Sequence, residues 1–274
     1  MPELPEVQNF VNSIEKSYVG LNINQIIFHR ENLRYPFEKE KLKSIFSKGN
    51  KLARCFREGK QMVLETQTGA VNISLGMTGC FKPITSHQSG TQKPEKHEHV
   101  TLYFENGKAL SYVDPRRFGF WKIRDDRTMV QFCDPLIELD LKKLFSSKKI
   151  SSFNRSVKEM LMDQQLIGGL GNIYVCEALF RAQISPLLAC HEISSSSWRK
   201  LANCIPLLLQ EAIAQGGSSV ATYLTLNGDK GNFQNLHLVY ERHGQNCSNQ
   251  KCKDVIVRVT QGGRSTWYCP SCQN

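Results

Sequence analysis

The sequence predicts an α+β protein in three segments: a β-rich region led by one helix, a helical middle, and a small metal-bound hairpin at the C-terminal end. Three observations carry this. Short apolar or alternating runs fill residues 22 to 125, apolar residues recur at helical spacing after Asp134-Pro135, and four of the ten cysteines crowd the last 28 residues. The boundaries read from these shifts are 1–130, 134–240 and 241–274.

The leading helix is read over residues 5 to 18. Val7, Phe10, Val11 and Ile14 share one face, Pro5 suits a first turn, and Gly20 lies just past the end. Strand-like runs follow at Asn24–Phe28, Met62–Thr66, Ala70–Leu75, Val100–Phe104 and Ala109–Val113, with turn pairs such as Asn106-Gly107 between them, as in an antiparallel sandwich. The polar stretch Thr85–Glu98 reads as a mobile surface loop. Helices are expected at Ile137–Phe145, Val157–Gln165, Asn172–Ala182 and Ser197–Ala214, the last with Pro206 as a kink point and Gly216-Gly217 as its end. Residues 218 to 235 read as a Gly-punctuated loop.

Lys and Arg total 35 against 25 Asp and Glu, a net charge of +10 that suits a polyanion such as nucleic acid. No stretch approaches the roughly 18–20 consecutive apolar residues of a membrane span. The start of the chain carries Glu3 and Glu6 and no apolar run, unlike a secretory signal. A cytoplasmic location follows as the expectation, associated with the nucleoid if the source is bacterial. In a reducing compartment, Cys55, Cys80, Cys133, Cys176, Cys190 and Cys204 read as small core residues or inert thiols.

Cys247 and Cys252 form one cysteine pair, and Cys269 and Cys272 another 16 residues later. Two such pairs at the ends of a hairpin converge on one tetrahedral zinc. The hairpin itself is read as Val255–Val259, the turn Gln261-Gly262-Gly263, and Arg264–Tyr268. A 34-residue tail has too little core to fold without such a staple. Four thiolates leave no open position for water, so the zinc is structural. Arg264 beside the turn reads either as a solvated charge or as a side chain offered to phosphate.

Asp163 through Tyr174 separates two helices, and three of its residues, Gly168, Gly169 and Gly171, are glycines around Leu170. Asn172 then stands at a helix start, where it either caps the helix or meets a phosphate drawn to unpaired N–H groups. At the other end, small residues after an initiator methionine permit its removal, which makes Pro2 a free secondary amine. Such an amine attacking a sugar C1′ gives an iminium ion, an electron sink for eliminating phosphates. Glu3 suits general acid/base duty on the sugar, with Glu6 as a second candidate. Taken alone, the same residues are ordinary members of a first helical turn.

Six blocks together resemble the formamidopyrimidine-DNA glycosylases over essentially the whole chain. They are Met1-Pro2-Glu3-Leu4-Pro5-Glu6-Val7, Leu75-Gly76-Met77-Thr78-Gly79, Lys96-His97-Glu98-His99-Val100, Asp114-Pro115-Arg116-Arg117-Phe118-Gly119, Asp163-Gln164 through Gly168-Gly169-Leu170-Gly171-Asn172-Ile173-Tyr174 to Glu177, and Gly263-Arg264 through Cys272-Gln273. The resemblance implies an N-terminal β-sandwich with a leading helix, a helix–two-turns–helix domain and a zinc finger, with DNA between them. It implies Pro2 as nucleophile, Glu3 as general acid/base, and Lys51 as a catalytic-site lysine on phosphate. It makes Asn172 and Arg264 paired phosphate clamps, Arg264 beside the catalytic set, and His97 a further DNA contact. Met77, Arg116 and Phe118 match the residues that fill the gap left by an everted nucleotide, a place that apolar wedges and an Arg facing the orphaned base can take. Without the resemblance, Met77 and Phe118 read as core.

The implied activity is that of a bifunctional glycosylase and abasic-site lyase, acting as a monomer on double-stranded DNA with oxidised purines such as 8-oxoguanine or formamidopyrimidines, or with abasic sites. It proceeds through a Schiff base on Pro2 and β,δ-elimination. The alternative within the superfamily is an endonuclease VIII-like enzyme for oxidised pyrimidines. An alternative of another class is a non-catalytic zinc protein binding DNA by charge. Departures from the family pattern are Ser74 in place of a histidine, four residues rather than two inside the first cysteine pair, Val175-Cys176 before Glu177, and the residues of the Ser218–Asn232 loop.

Overall fold

The computed structural model describes residues 1–84, 93–125, 131–219, 225–226 and 228–274, apart from the side chains of Lys149 and Ser151. Contacts gather the chain into two compact units, Met1–Met129 with Gly216–Asn232, and Val130–Gln215 with Phe233–Asn274.

The first unit opens with α1 (Leu4–Tyr18), β1 (Ile23–Phe28) and α2 (Lys39–Ile45). Seven strands follow: β2 (Leu52–Glu58), β3 (Gln61–Thr66), β4 (Ala70–Ser74), β5 (Cys80–Ile84), β6 (Glu98–Phe104), β7 (Ala109–Val113) and β8 (Phe120–Ile123). They form two antiparallel four-stranded sheets, ordered β1-β6-β7-β5 and β2-β3-β4-β8. One core joins them. Val7, Phe10 and Ile14 of α1 pack with Ile23, Phe81, Leu102 and Tyr112 of one sheet and Leu52, Leu64, Ile73 and Trp121 of the other. Phe81 lies 6.1 Å and Tyr112 5.8 Å from Trp121, ring centre to ring centre, so aromatic rings bridge the layers.

The strands expected from alternation are present within two residues of their expected ends. Three further strands carry weaker signals. A register shift between Leu52 and Arg54 breaks the alternation of β2. β5 contains Pro83, which a strand tolerates because β5 is an edge strand. β8, only four residues long, is the other sheet's edge. Of the expected Thr85–Glu98 loop, residues 85–92 lie outside the described residues, and Glu98 opens β6.

The second unit holds α3 (Glu138–Phe145), α4 (Lys148–Ser151), α5 (Val157–Leu161), α6 (Asn172–Ala182), α7 (Ser195–Ala214), and the hairpin β9 (Val257–Gln261) and β10 (Arg264–Tyr268). α5 starts on a capping box, Ser156 Oγ accepting from Glu159 N–H while Glu159 reaches back to Ser156 N–H. It stops at Leu161, short of the expected Gln165, because side chains take over the backbone groups. Asp163 Oδ1 accepts from Gln165 N–H at 3.0 Å, and the Gln164 amide donates to Leu170 O at 2.7 Å while accepting from Gly169 N–H at 3.0 Å. α7 begins two residues before the expected Ser197, capped by Ser194, and runs on through Pro206.

The hairpin's core is continuous with α6: Cys176 and Phe180 pack with Val239, Ile256 and Cys269. Glu177 is fully buried, and its carboxylate accepts N–H bonds from Leu238, Val239 and Tyr240 at 2.8 to 2.9 Å. Burial pushes its carboxyl above the usual range, and the three N–H groups pull against that shift. No disulfide links any of the ten cysteines, and burial pushes the Cys133 thiol up to about 12 and Cys190 to about 11, which keeps both protonated and inert. Among the described residues no helix is long and apolar enough to cross a membrane.

His237 sits edge-on between Phe233 and Tyr240, and burial lowers its pKa to about 4. The unfolded chain titrates the same imidazole near 6.5, so the folded state binds the proton less tightly. Stability is therefore full above about pH 6.5 and falls as the pH drops towards 4, by up to about 3 kcal/mol from this residue. Urea unfolding across that range should show the loss, and His237→Asn should flatten it.

Candidate active site

The start of α1 is built around two carboxylates. Glu3 is the N-cap residue, extended at φ −102° and ψ −168°, and Pro2 and Glu3 are both buried. Glu6 Oε2 accepts from Glu3 N–H at 2.8 Å and Oε1 accepts from Ser218 N–H at 2.7 Å. Gly217 lets the loop come this close, since a Cβ there would lie 2.7 Å from Glu6 Oε1. Glu6, the second acid/base candidate of the sequence, is thus a clamp on backbone donors. It fixes the terminal Pro2-Glu3 segment against the first residues of the 218–232 loop. Lys51 is exposed and bridges to Asn22 just ahead of β2, the strand on which α1 packs.

Met77, His97, Arg116 and Phe118 gather at one corner of the same unit. Met77 is 41% and Phe118 46% exposed, and the Arg116 guanidinium stacks 4.6 Å from the centre of the Phe118 ring. The reading of Met77 and Phe118 as core residues does not hold: both face solvent beside an Arg. His97 is exposed, with φ at +70°. It precedes a register shift between Glu98 and Val100, and this bulge leaves His99 free to reach Asp114 O at 2.8 Å. Ser74 stands where the resembling family has a histidine, and its Oγ accepts from Gly76 N–H at 3.3 Å.

In the second unit, Asn172 is the first residue of α6, and Gly171 occupies the N-cap position. The capping reading of Asn172 therefore fails. Its Nδ2 donates instead to Ser265 O at 2.9 Å, next to Arg264. Lys158 donates to the same carbonyl at 3.2 Å and to Thr266 Oγ1 at 2.5 Å. Burial holds this lysine below its ordinary pKa, and Arg264 adds to the effect. Sequence reasoning missed Lys158, because a lysine beside Glu159 in a short helix reads as a solvated charge. Its only signal is its place among Val157, Met160 and Leu161. The two straps hold β10 at its first turn, where Arg264 is exposed directly after Gly262 and Gly263 at φ +53° and +72°.

The four hairpin cysteines form a metal centre. All four Sγ atoms lie within 4.8 Å of one another, with Cys247–Cys272 at 3.8 Å and Cys252–Cys269 at 3.7 Å. A tetrahedral zinc with sulfurs at about 2.3 Å separates them by about 3.8 Å, so the cage fits. The four-residue spacing of the first pair is accommodated, with Asn249 Nδ2 3.4 Å from Cys272 Sγ. Gln273 ties the second knuckle to the helical unit, accepting from Cys269 N–H and donating to Ile184 O, both at 2.9 Å.

Three family models match the chain: the formamidopyrimidine-DNA glycosylase N-terminal domain at residues 1–121, the H2TH domain at 133–223, and the zinc finger found in FPG and IleRS at 250–274. The chain belongs to the formamidopyrimidine-DNA glycosylases. The formamidopyrimidine-DNA glycosylase of Gluconobacter oxydans is 37% identical over 289 residues, covering 100% of both chains. A variant of the Lactococcus lactis enzyme, solved with DNA containing Fapy-dG, superposes with a TM-score of 0.85 at 31% identity over 100% of both chains. MutM in complex with DNA containing carbocyclic 8-oxo-G does so at 0.83 and 30%, again over 100% of both. The chain is accordingly a DNA glycosylase of base excision repair, with the abasic-site lyase activity characteristic of formamidopyrimidine-DNA glycosylases. Its C-terminal finger holds one structural zinc.

Atomic absorption should find one zinc per chain. Cys269→Ser removes a fully buried ligand, so the metal content should fall to the detection limit and the hairpin should lose its fold with it.

Proposed function

We propose that this glycosylase excises oxidised purines, 8-oxoguanine and formamidopyrimidines, from double-stranded DNA and then cuts the backbone on both sides of the abasic site. The observation that carries the reading is the clamped Pro2-Glu3 terminus, buried and fixed by Glu6 to Glu3 N–H and Ser218 N–H. Removal of Met1, the exposed residue that precedes it, leaves Pro2 as a secondary amine at a fixed position. Holding a nucleophile in place lowers the entropic part of the barrier.

The amine nitrogen of Pro2 attacks C1′, and the glycosidic bond breaks with its electron pair leaving on the base. The amine proton is lost and the C1′–O4′ bond opens, with O4′ taking a proton from Glu3, and the resulting iminium acidifies the C2′ proton. Its loss expels the 3′ phosphate, a second elimination expels the 5′ phosphate, and water hydrolyses the sugar remnant from Pro2. Glu3 serves as general acid and base on the ring oxygen and sugar protons. Lys51, Asn172 and Arg264 hold phosphates, and the chain's +10 charge favours the polyanion. Met77 and Phe118 enter the stack where the lesion leaves it, Arg116 meets the orphaned cytosine, and His97 adds a contact beside them. The enzyme works as a monomer in the cytoplasm.

Borohydride added to enzyme and an 8-oxoguanine:C duplex should trap a covalent adduct. Pro2→Gly should abolish most of the trapping while leaving duplex binding in place. Adduct formation only with thymine glycol would move the substrate to oxidised pyrimidines. Full activity of protein that retains Met1, read by mass spectrometry, would remove Pro2 as nucleophile.

A further inference from the structure

Met77, Arg116 and Phe118, the proposed wedge set, project from two irregular loops, 75–79 between β4 and β5 and 114–119 between β7 and β8. Neither loop has a ladder of its own. Both converge on Asp114, which is fully buried. Its Oδ1 accepts from the Thr78 hydroxyl at 2.5 Å, next to Met77. Its Oδ2 accepts from Gly119 N–H at 2.8 Å, next to Phe118. Thr78 Oγ1, having given its proton to Asp114, accepts from Arg116 N–H at 3.1 Å. The backbone repeats the pattern, with Asp114 N–H donating to His97 O at 3.1 Å and Asp114 O accepting from Arg117 N–H at 3.2 Å. One residue thus ties together the surroundings of all four: its side chain holds Thr78 and Gly119, neighbours of Met77 and Phe118, its N–H holds His97 O, and Thr78 passes the link on to Arg116 N–H.

We propose that Asp114 is a positioning residue: its carboxylate locks the Met77 loop and the Arg116–Phe118 loop into the one arrangement that can enter the DNA stack. It sets excision from duplex DNA and choice of the opposite base without touching DNA. The inference rests on the wedge assignment made under Proposed function. Two features make the lock stiff. The bonds run in one direction, Arg116 N–H to Thr78 O–H to a carboxylate that only accepts. The loops also have no slack, because a Cβ on Gly119 would lie 1.9 Å and one on Gly79 2.5 Å from the Tyr112 hydroxyl. An amide replaces the carboxylate poorly. Turned one way, its NH2 faces Gly119 N–H; turned the other, it makes Thr78 Oγ1 accept from both Arg116 N–H and the amide, and the hydroxyl proton loses its acceptor.

The test compares two substrates, 8-oxoguanine opposite cytosine in a duplex, and a preformed abasic site in a single strand with no stack to fill. Asp114→Asn and Thr78→Val should each slow single-turnover excision from the duplex by about 100-fold, the scale of a small misplacement. Elimination at the single-stranded abasic site and zinc content should stay near wild type, and the melting temperature should fall by no more than a few degrees. Both variants should also lose discrimination between cytosine and adenine opposite the lesion, and Thr78→Ser, which keeps the hydroxyl, should restore both properties. Unchanged excision by both variants overturns the proposal, as does equal loss on both substrates, which is the mark of a general structural defect. If the wild-type protein itself fails to excise 8-oxoguanine from the duplex, the parent reading falls instead.

Discussion

Buried carboxylates that accept backbone N–H groups hold this protein's irregular segments in place. Loops that meet a polyanion cannot satisfy their own amides through a helix or sheet, and an unpaired buried amide costs about 1–3 kcal/mol. Glu6 takes Glu3 N–H and Ser218 N–H, Asp114 takes Gly119 N–H and a hydroxyl, and Glu177 takes three consecutive amides at the root of the zinc hairpin. The exposed cations and aromatics can then be presented from loops without those loops becoming slack. In this basic protein a few acids are placed inside, where they organise backbone, while Lys51, Arg116 and Arg264 stay exposed.

Much of the architecture was legible because period and punctuation agree. α1 has one apolar face and a Pro at its start, β7 and α6 begin and end where their patterns do, and the Gly262-Gly263 pair marks the hairpin turn. The weaker elements were hidden by local effects. A bulge dephased β2, Pro83 disguised an edge strand, and side-chain bonds from Asp163 and Gln164 ended α5 before its hydrophobic pattern did. The zinc cage follows from spacing alone. The proposed wedge residues did not follow from pattern: Met77 and Phe118 look like core residues in any periodicity, and only their exposure speaks against that reading. Asp114 and Lys158 act through contacts 36 and 108 positions away in sequence, to Thr78 and Thr266, which no local window can show.

The second unit illustrates how a carbonyl can be used as an anchor. Ser265 O receives both Asn172 Nδ2 and Lys158 Nζ, so a helix start, a buried lysine and the hairpin share one acceptor. The arrangement places Arg264 at the end of a short stiff lever, braced at its root by four thiolates and at its tip by two side chains. Lys158 is buried close to another cation, a placement that is tolerable because its ammonium keeps two oxygen partners.

The packing of Tyr112 against Gly79 and Gly119 bears on how such a chain can drift. The phenol fills the space that a side chain at either glycine would need, and its hydroxyl reaches Ser74 O at 3.3 Å. A methyl at Gly119 would meet Ser74 O at 2.6 Å as well as the tyrosine, so trading the tyrosine for something smaller opens a void between two sheets and still leaves a backbone clash. Single steps away from this trio are therefore blocked in either order. The corner that carries Met77, Arg116 and Phe118 can change the identity of its tips far more readily than the frame from which they project.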